Sequence, residues 1–145
     1  MNKSTIEEEL QRSGQIVQPN VGDSMMPLLK QGRDLMIIDR KPEGRCKRLD
    51  AVLYRRPDGK YVMHRILKVR KDDYVICGDN RCNKEYGVPD SWILGVLTGV
   101  IRKGKQISVR DWRYLLYVHL WCDFFPVRSL ILRVVRRLQR RKRKK

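Results

Sequence analysis

The amino-acid sequence predicts a mainly β protein: a folded-over antiparallel sheet with a short N-terminal helix and C-terminal amphipathic helices. Three observations support that class. Short apolar runs rich in Val, Ile, Leu and Tyr recur between residues 15 and 109, most of them of strand length. Clusters of Gly, Asp and Pro separate them, which is the composition of tight turns. From Asp111 onward, apolar residues instead recur at intervals of three and four, the spacing of one helix face. The 145 residues suffice for one domain with a single core.

At the N-terminus, Ser4 or Thr5 can cap a helix running through Arg12. Ser4 with Glu7 and Thr5 with Glu8 both fit the capping-box spacing, and Gly14 offers a stop. QIVQ at 15–18 reads as extended, and the turn GDSMMP follows at 22–27. Strands are expected at 34–39, 51–56 and 60–70. Pro57, Asp58 and Gly59 join the last two as a hairpin, since Pro presets φ and Gly accepts positive φ. A turn at 71–73 leads to YVIC at 74–77, and strands at 93–104 and 106–109 complete the set. Trp112, Leu115, Leu116, His119 and Leu120 form one helical stripe. Beyond Pro126, the residues Val127, Leu130, Ile131, Val134, Val135 and Leu138 form another, with Arg128, Arg133, Arg136, Arg137 and Arg140 largely off it. The expected organisation is a helix within 1–14, a β domain over 15–110, an amphipathic helical segment over 111–138 and a basic tail over 139–145.

Charge is uneven. Lys and Arg total 33 against 16 Asp and Glu, a net +17, and nine of the basic residues fall in the acid-free stretch 133–145. Such a block seeks an anionic partner, either lipid or nucleic acid. A basic amphipathic helix suits the interface of an anionic membrane; docking of its apolar stripe on the β domain or on a partner is the competing expectation. Cys46, Cys77, Cys82 and Cys122 lack metal-ligand spacing, so no metal or cofactor is expected and reduced thiols are. The opening residues are polar and acidic, unlike a secretory leader, and no window reaches the roughly 20 apolar residues of a bilayer span. Together these point to the cytoplasm or the cytoplasmic face of a membrane.

Three clusters carry candidate chemistry: GDSMMP at 22–27, MHR at 63–65 and GDN at 78–80. A serine hydroxyl is a poor nucleophile at neutral pH without a base to take its proton. His64, amid the apolar Val62 and Ile66 on one strand face, suits that task. A carboxylate is then needed to hold the imidazole in the useful tautomer, and Asp79 and Glu85 are both available.

The wording and order of these clusters resemble the type I signal peptidase superfamily, which includes self-cleaving repressors. There a Gly or Ser, any residue, Ser-Met, any residue and Pro carry the nucleophile; here the stretch is GDSMMP. The Gly-Asp that leads the next strand is here split by Arg33, in GRDLMIID. The second box is Lys-Arg in most bacterial members and His-Arg in archaeal and endoplasmic-reticulum members; here it is His64-Arg65. The third is Gly-Asp-Asn, here GDNRCN. The resemblance spans about residues 15–104. It implies that Ser24 is the nucleophile, His64 the general base and Asp79 a residue that builds or orients the site. Glu85 stands where the archaeal type has a further Asp, and Cys82 where bacterial members have Asp, so the third catalytic residue is Asp79 or Glu85. A variety without the N-terminal membrane anchor is expected. So is the absence of a DNA-reading helix-turn-helix, with no specific nucleic-acid binding.

The function expected is a serine endopeptidase cleaving an extended peptide or leader segment. The Ser24 backbone N–H is the expected oxyanion donor, and Met25 and Met26 are candidate walls of a substrate pocket. The alternative is an inactive member that binds extended peptides, or a basic adaptor on anionic membrane or nucleic acid.

Overall fold

The computed structural model describes residues 5–143. Helix α1 (Ile6–Ser13) starts at Thr5, whose side chain accepts from the Glu8 N–H while Glu8 reaches back to the Thr5 N–H. The capping box is therefore the Thr5–Glu8 pair; Ser4, the other candidate, lies outside the described residues. Gly14 closes the helix in the left-handed conformation. α1 buries Leu10 against the sheet, and Glu7 accepts from the Tyr61 hydroxyl at 2.7 Å.

Among the described residues eight strands form one antiparallel sheet: β1 (Gln15–Pro19), β2 (Asp34–Arg40), β3 (Ala51–Arg55), β4 (Tyr61–Val69), β5 (Asp73–Cys77), β6 (Glu85–Pro89), β7 (Ile93–Arg102) and β8 (Lys105–Ser108). The order is β1-β2-β7-β3-β4-β5-β6, with β8 also on β7. The protein is thus mainly β and antiparallel, as its turn-separated apolar runs require. At the β3–β4 hairpin the Gly59 N–H donates to the Arg56 carbonyl, and Gly59 sits at φ +84°, where a side chain is strained. The turn fixes the register that pairs Val52 with His64 and Tyr54 with Val62. β6 is an addition to the strands expected from sequence. Its EYGVP carries a Gly and a Pro, which fit an edge position and mask the strand pattern.

The sheet buries apolar residues on both faces. Leu10, Ile16, Met25, Leu29, Met36, Ile38, Leu53 and Met63 pack on one side. Val52, Tyr54, Ile66, Tyr74, Ile76 and Val88 pack on the other. Burying both faces lets a small sheet remove enough apolar surface from water to be stable. Cys46, Cys77 and Cys122 are buried free thiols, and Cys82 is half-buried and also free.

Two helices follow. α2 (Trp112–Cys122) is capped by the Asp111 side chain, which accepts from the Arg113 N–H. α3 (Phe125–Lys142) has Pro126 in its first turn. The helix continues to Lys142, so residues 139–142 of the expected basic tail are helical; 144–145 lie outside the described residues. Among the described residues no single helix is long and apolar enough to cross a membrane, and α2 and α3 meet at a bend of 80°.

Candidate active site

The three sequence clusters converge. Ser24 lies in the turn between β1 and β2, His64 in the middle of β4, and Gly78–Asn80 just after β5. The loop after β5 clasps the serine turn. The Asn80 N–H donates to the Ser24 carbonyl at 2.9 Å, and Asn80 Nδ2 donates to the Asp23 carbonyl at 3.1 Å. Arg81 forms an ion pair with Asp23 at 2.7 Å. Gly78 allows this close approach: a Cβ there would meet the Ser24 carbonyl oxygen at 2.6 Å and His64 Cδ2 at 3.1 Å. The Ser24 backbone and the His64 ring therefore meet over the same glycine.

The imidazole is oriented from its other side. His64 Nδ1 lies 3.3 Å from the Tyr54 hydroxyl, and that hydroxyl lies 2.6 Å from Glu85 Oε2. An ionised carboxylate only accepts, so the single Tyr54 proton goes to Glu85. The Tyr54 oxygen then accepts from His64 Nδ1–H. This tautomer leaves Nε2, which is bonded to Cδ2 near Gly78, free to accept a proton. Burial works to raise the Glu85 pKa, but donation by Arg56 (2.8 Å) and Tyr54 outweighs it and holds the carboxylate below its usual range. Burial first, and then Glu85, push the Tyr54 phenol well above its ordinary value, so it stays protonated. Burial, followed by the Arg56 charge, lowers the His64 pKa to about 4.

Glu85 is thus the carboxylate that reaches His64, through Tyr54. Asp79 makes no hydrogen bond to the ring. It is fully buried and paired in two contacts with the equally buried Arg65, Nε to Oδ1 at 2.8 Å and Nη2 to Oδ2 at 2.9 Å. Tyr117 donates to Asp79 Oδ2, Trp121 Nε1 donates to the Asp79 carbonyl, and Arg65 Nη1 donates to the Tyr114 hydroxyl. Asp79 and Arg65 therefore anchor α2 beneath the loop that holds Ser24. The Arg65 guanidinium stays charged because Asp79 outweighs its burial.

A cleft of about 350 Å³ opens beside Ser24, lined by Gln18, Asn20, Met36, Leu53, Val62 and Met63 among others. Met25 is not part of it. It is 1% exposed and packs with Leu29 in the core, because the turn folds back over the sheet. Met26 is half-buried and does not line the cleft either. The Ser24 N–H has no acceptor among the described residues, as an oxyanion donor requires. The Ser24 hydroxyl makes no hydrogen bond to His64. His64 is not among the residues that line the cleft beside Ser24, and a second hollow of about 330 Å³, between β7, β8 and α2, is lined by neither Ser24 nor His64.

Tyr54 and Arg56 escaped the sequence reading because they look like ordinary strand residues. The hairpin register contains them: with the turn at 57–59, Tyr54 and His64 fall on one sheet face, one pair apart. No family model, characterised protein or solved structure matches the chain.

Proposed function

We propose that the chain is a serine endopeptidase of the signal peptidase-like type, with Ser24 as nucleophile and His64 as general base. The observation that carries this reading is the meeting of the serine turn and the His64 ring over Gly78, with Nδ1 engaged by Tyr54. In the reaction, His64 Nε2 takes the hydroxyl proton as Ser24 Oγ attacks the peptide carbonyl. The Ser24 N–H stabilises the oxyanion. The imidazolium returns its proton to the leaving amine, and a water deprotonated by Nε2 releases the acyl group. A Ser24 rotation completes the Oγ–Nε2 hydrogen bond when substrate fills the cleft, since catalytic hydrogen bonds commonly tighten on binding.

Glu85, held ionised by Arg56, offsets the imidazolium charge through Tyr54. The edge strand β1 supplies Gln18 and Pro19 to the cleft and pairs with β2 alone. Its free backbone groups suit an extended peptide added as a further strand.

A second reading is peptide binding without turnover, and the missing Ser24–His64 hydrogen bond favours it. Digestion of a mixed peptide library, with new N-termini mapped by mass spectrometry, separates the two. Cuts made by the native chain and absent with Ser24→Ala support the peptidase. Cuts that persist in Ser24→Ala remove Ser24 as nucleophile. Peptides retained but uncut support the binder.

A further inference from the structure

α3 is mounted with its polar side inward. Arg128, 1% exposed, donates through Nη2 to the carbonyls of Gly78 (3.1 Å) and Arg81 (3.0 Å), and its guanidinium lies over the Phe125 ring. Arg136 Nη2 donates to the Asn80 carbonyl at 2.6 Å. Ser129 and Leu132 complete the buried face. The apolar stripe, Val127, Leu130, Ile131, Val134, Val135 and Leu138, faces solvent, with Leu130 62% exposed. α2 is similar. Tyr114, Val118 and Cys122 are buried, whereas Trp112 (67%), Leu115, Leu116 and Leu120 (62%) are exposed, as is Phe124 between the helices. Soluble domains rarely leave so large an apolar surface uncovered.

The β domain does not cover this surface: it meets the opposite side of α3, through Arg128, Ser129, the buried Leu132 and Arg136. The surroundings of the stripe identify its occupant. Arg133, Arg137, Arg140, Arg141 and Lys142 are all exposed along the same helix, as is Arg143 at its C-cap, and α3 carries no acidic residue. Trp112, Phe124 and the aliphatic residues fit the boundary between headgroups and acyl chains, and the cations fit lipid phosphates. A second copy of this chain would bring the same unbalanced positive charge to the interface. A nucleic acid would match the cations and leave the stripe in water.

We propose that the exposed faces of α2 and α3 dock on an anionic lipid bilayer, lying in its interface without crossing it. α2 and α3 both rest on the loop that clasps Ser24, through Asp79 and through Gly78, Asn80 and Arg81, so docking bears on the element that holds the serine turn. Lipid docking is independent of whether Ser24 is a nucleophile, and vesicle binding is read without a substrate.

The test is co-sedimentation of the full chain with phosphatidylcholine vesicles, with and without phosphatidylglycerol. Binding is expected to the mixed vesicles, weakened by salt. Leu130→Glu/Val134→Glu, at exposed positions that leave the core intact, is expected to weaken it by at least about tenfold. The far-ultraviolet circular dichroism of that variant verifies its fold. Absence of binding to mixed vesicles overturns the proposal. So does full binding by the double variant, which would assign it to charge alone. Equal binding to both vesicle types removes the anionic requirement and overturns it as well. Vesicle-free self-association abolished by the double variant, or binding to duplex DNA with none to vesicles, would identify another occupant and overturn it too.

Discussion

The Tyr54 hydroxyl donates to Glu85 Oε2 at 2.6 Å and thereby presents its oxygen, 3.3 Å away, to His64 Nδ1. One proton between two residues selects the imidazole tautomer. Tyr54→Phe keeps the ring in the core and removes only that oxygen. On the peptidase reading, kcat falls by about tenfold or more, less than the roughly 10²–10⁴-fold that the base itself supplies because Tyr54 only orients it, while KM changes little. Glu85→Gln tests the same link: a neutral amide lets the Tyr54 hydroxyl turn its proton toward His64. Steady-state kinetics on a peptide identified by library digestion measure both. Loss of activity in Tyr54→Phe with a raised KM alone would assign Tyr54 to substrate binding.

The lowered His64 pKa gives a pH prediction. On the peptidase reading, with His64 neutral above about 4, the acid limb of kcat/KM falls well below the ordinary imidazole value of 6.5, and activity is flat through neutrality. Arg56→Gln removes one of the charges that lower this pKa, so the limb moves upward. The stability sign follows from the same shift. As pH drops from 6.5 toward about 4, the unfolded chain takes up a proton at His64 that the folded chain does not. Stability therefore falls across that window and His64 contributes no further loss below it. His64→Gln flattens the decline, as measured by denaturant titrations at stepped pH.

Much of the framework is legible in the sequence because it is local. The Thr5–Glu8 cap, the Pro57–Gly59 turn and most strand positions rest on neighbours a few residues apart. The ordered boxes around Ser24, His64 and Asp79 also mark the two loops and the strand that meet. Sequence distance hides which carboxylate meets the histidine. Asp79 follows the motif, but burial beside Arg65 commits it to an ion pair, and Glu85 is the carboxylate linked to the ring through Tyr54. The mounting of α3 is hidden too. Periodicity locates its apolar stripe but cannot say which side faces the domain, and backbone carbonyls in the 78–81 loop draw the arginine side inward. Met25, weighed as a pocket wall, is core for a similar reason: it follows the serine in a turn that folds onto the sheet.

The Arg65–Asp79 pair separates architecture from chemistry. Removing one partner of a fully buried ion pair strands the other charge, at a cost of about 3–5 kcal/mol. Asp79→Ala is therefore expected to lower the thermal midpoint sharply and loosen α2, which loses the Tyr117 acceptor. Ser24→Ala leaves the midpoint nearly unchanged, because Ser24 contributes its backbone to the clasp. Thermal melts of the two proteins make the comparison. A stable Asp79→Ala protein that has lost only activity would return Asp79 to a direct catalytic role.

Gly78→Ala tests the meeting point itself. The added methyl carbon would sit 2.6 Å from the Ser24 carbonyl oxygen, a backbone atom that cannot rotate away, and 3.1 Å from His64 Cδ2. Overpacking of this kind typically costs about 1–3 kcal/mol, so the protein remains folded while the serine turn is displaced from the imidazole. On the peptidase reading, the expected result is a modest loss of stability with a disproportionate loss of turnover, because proton transfer requires the Ser24 hydroxyl to come within reach of Nε2. Gly87→Ala is the control, since a methyl there meets nothing within 4 Å although its φ of +72° adds backbone strain. Equal turnover in both variants, normalised to the folded fraction, would mean that the chemistry does not depend on the Ser24–His64 approach.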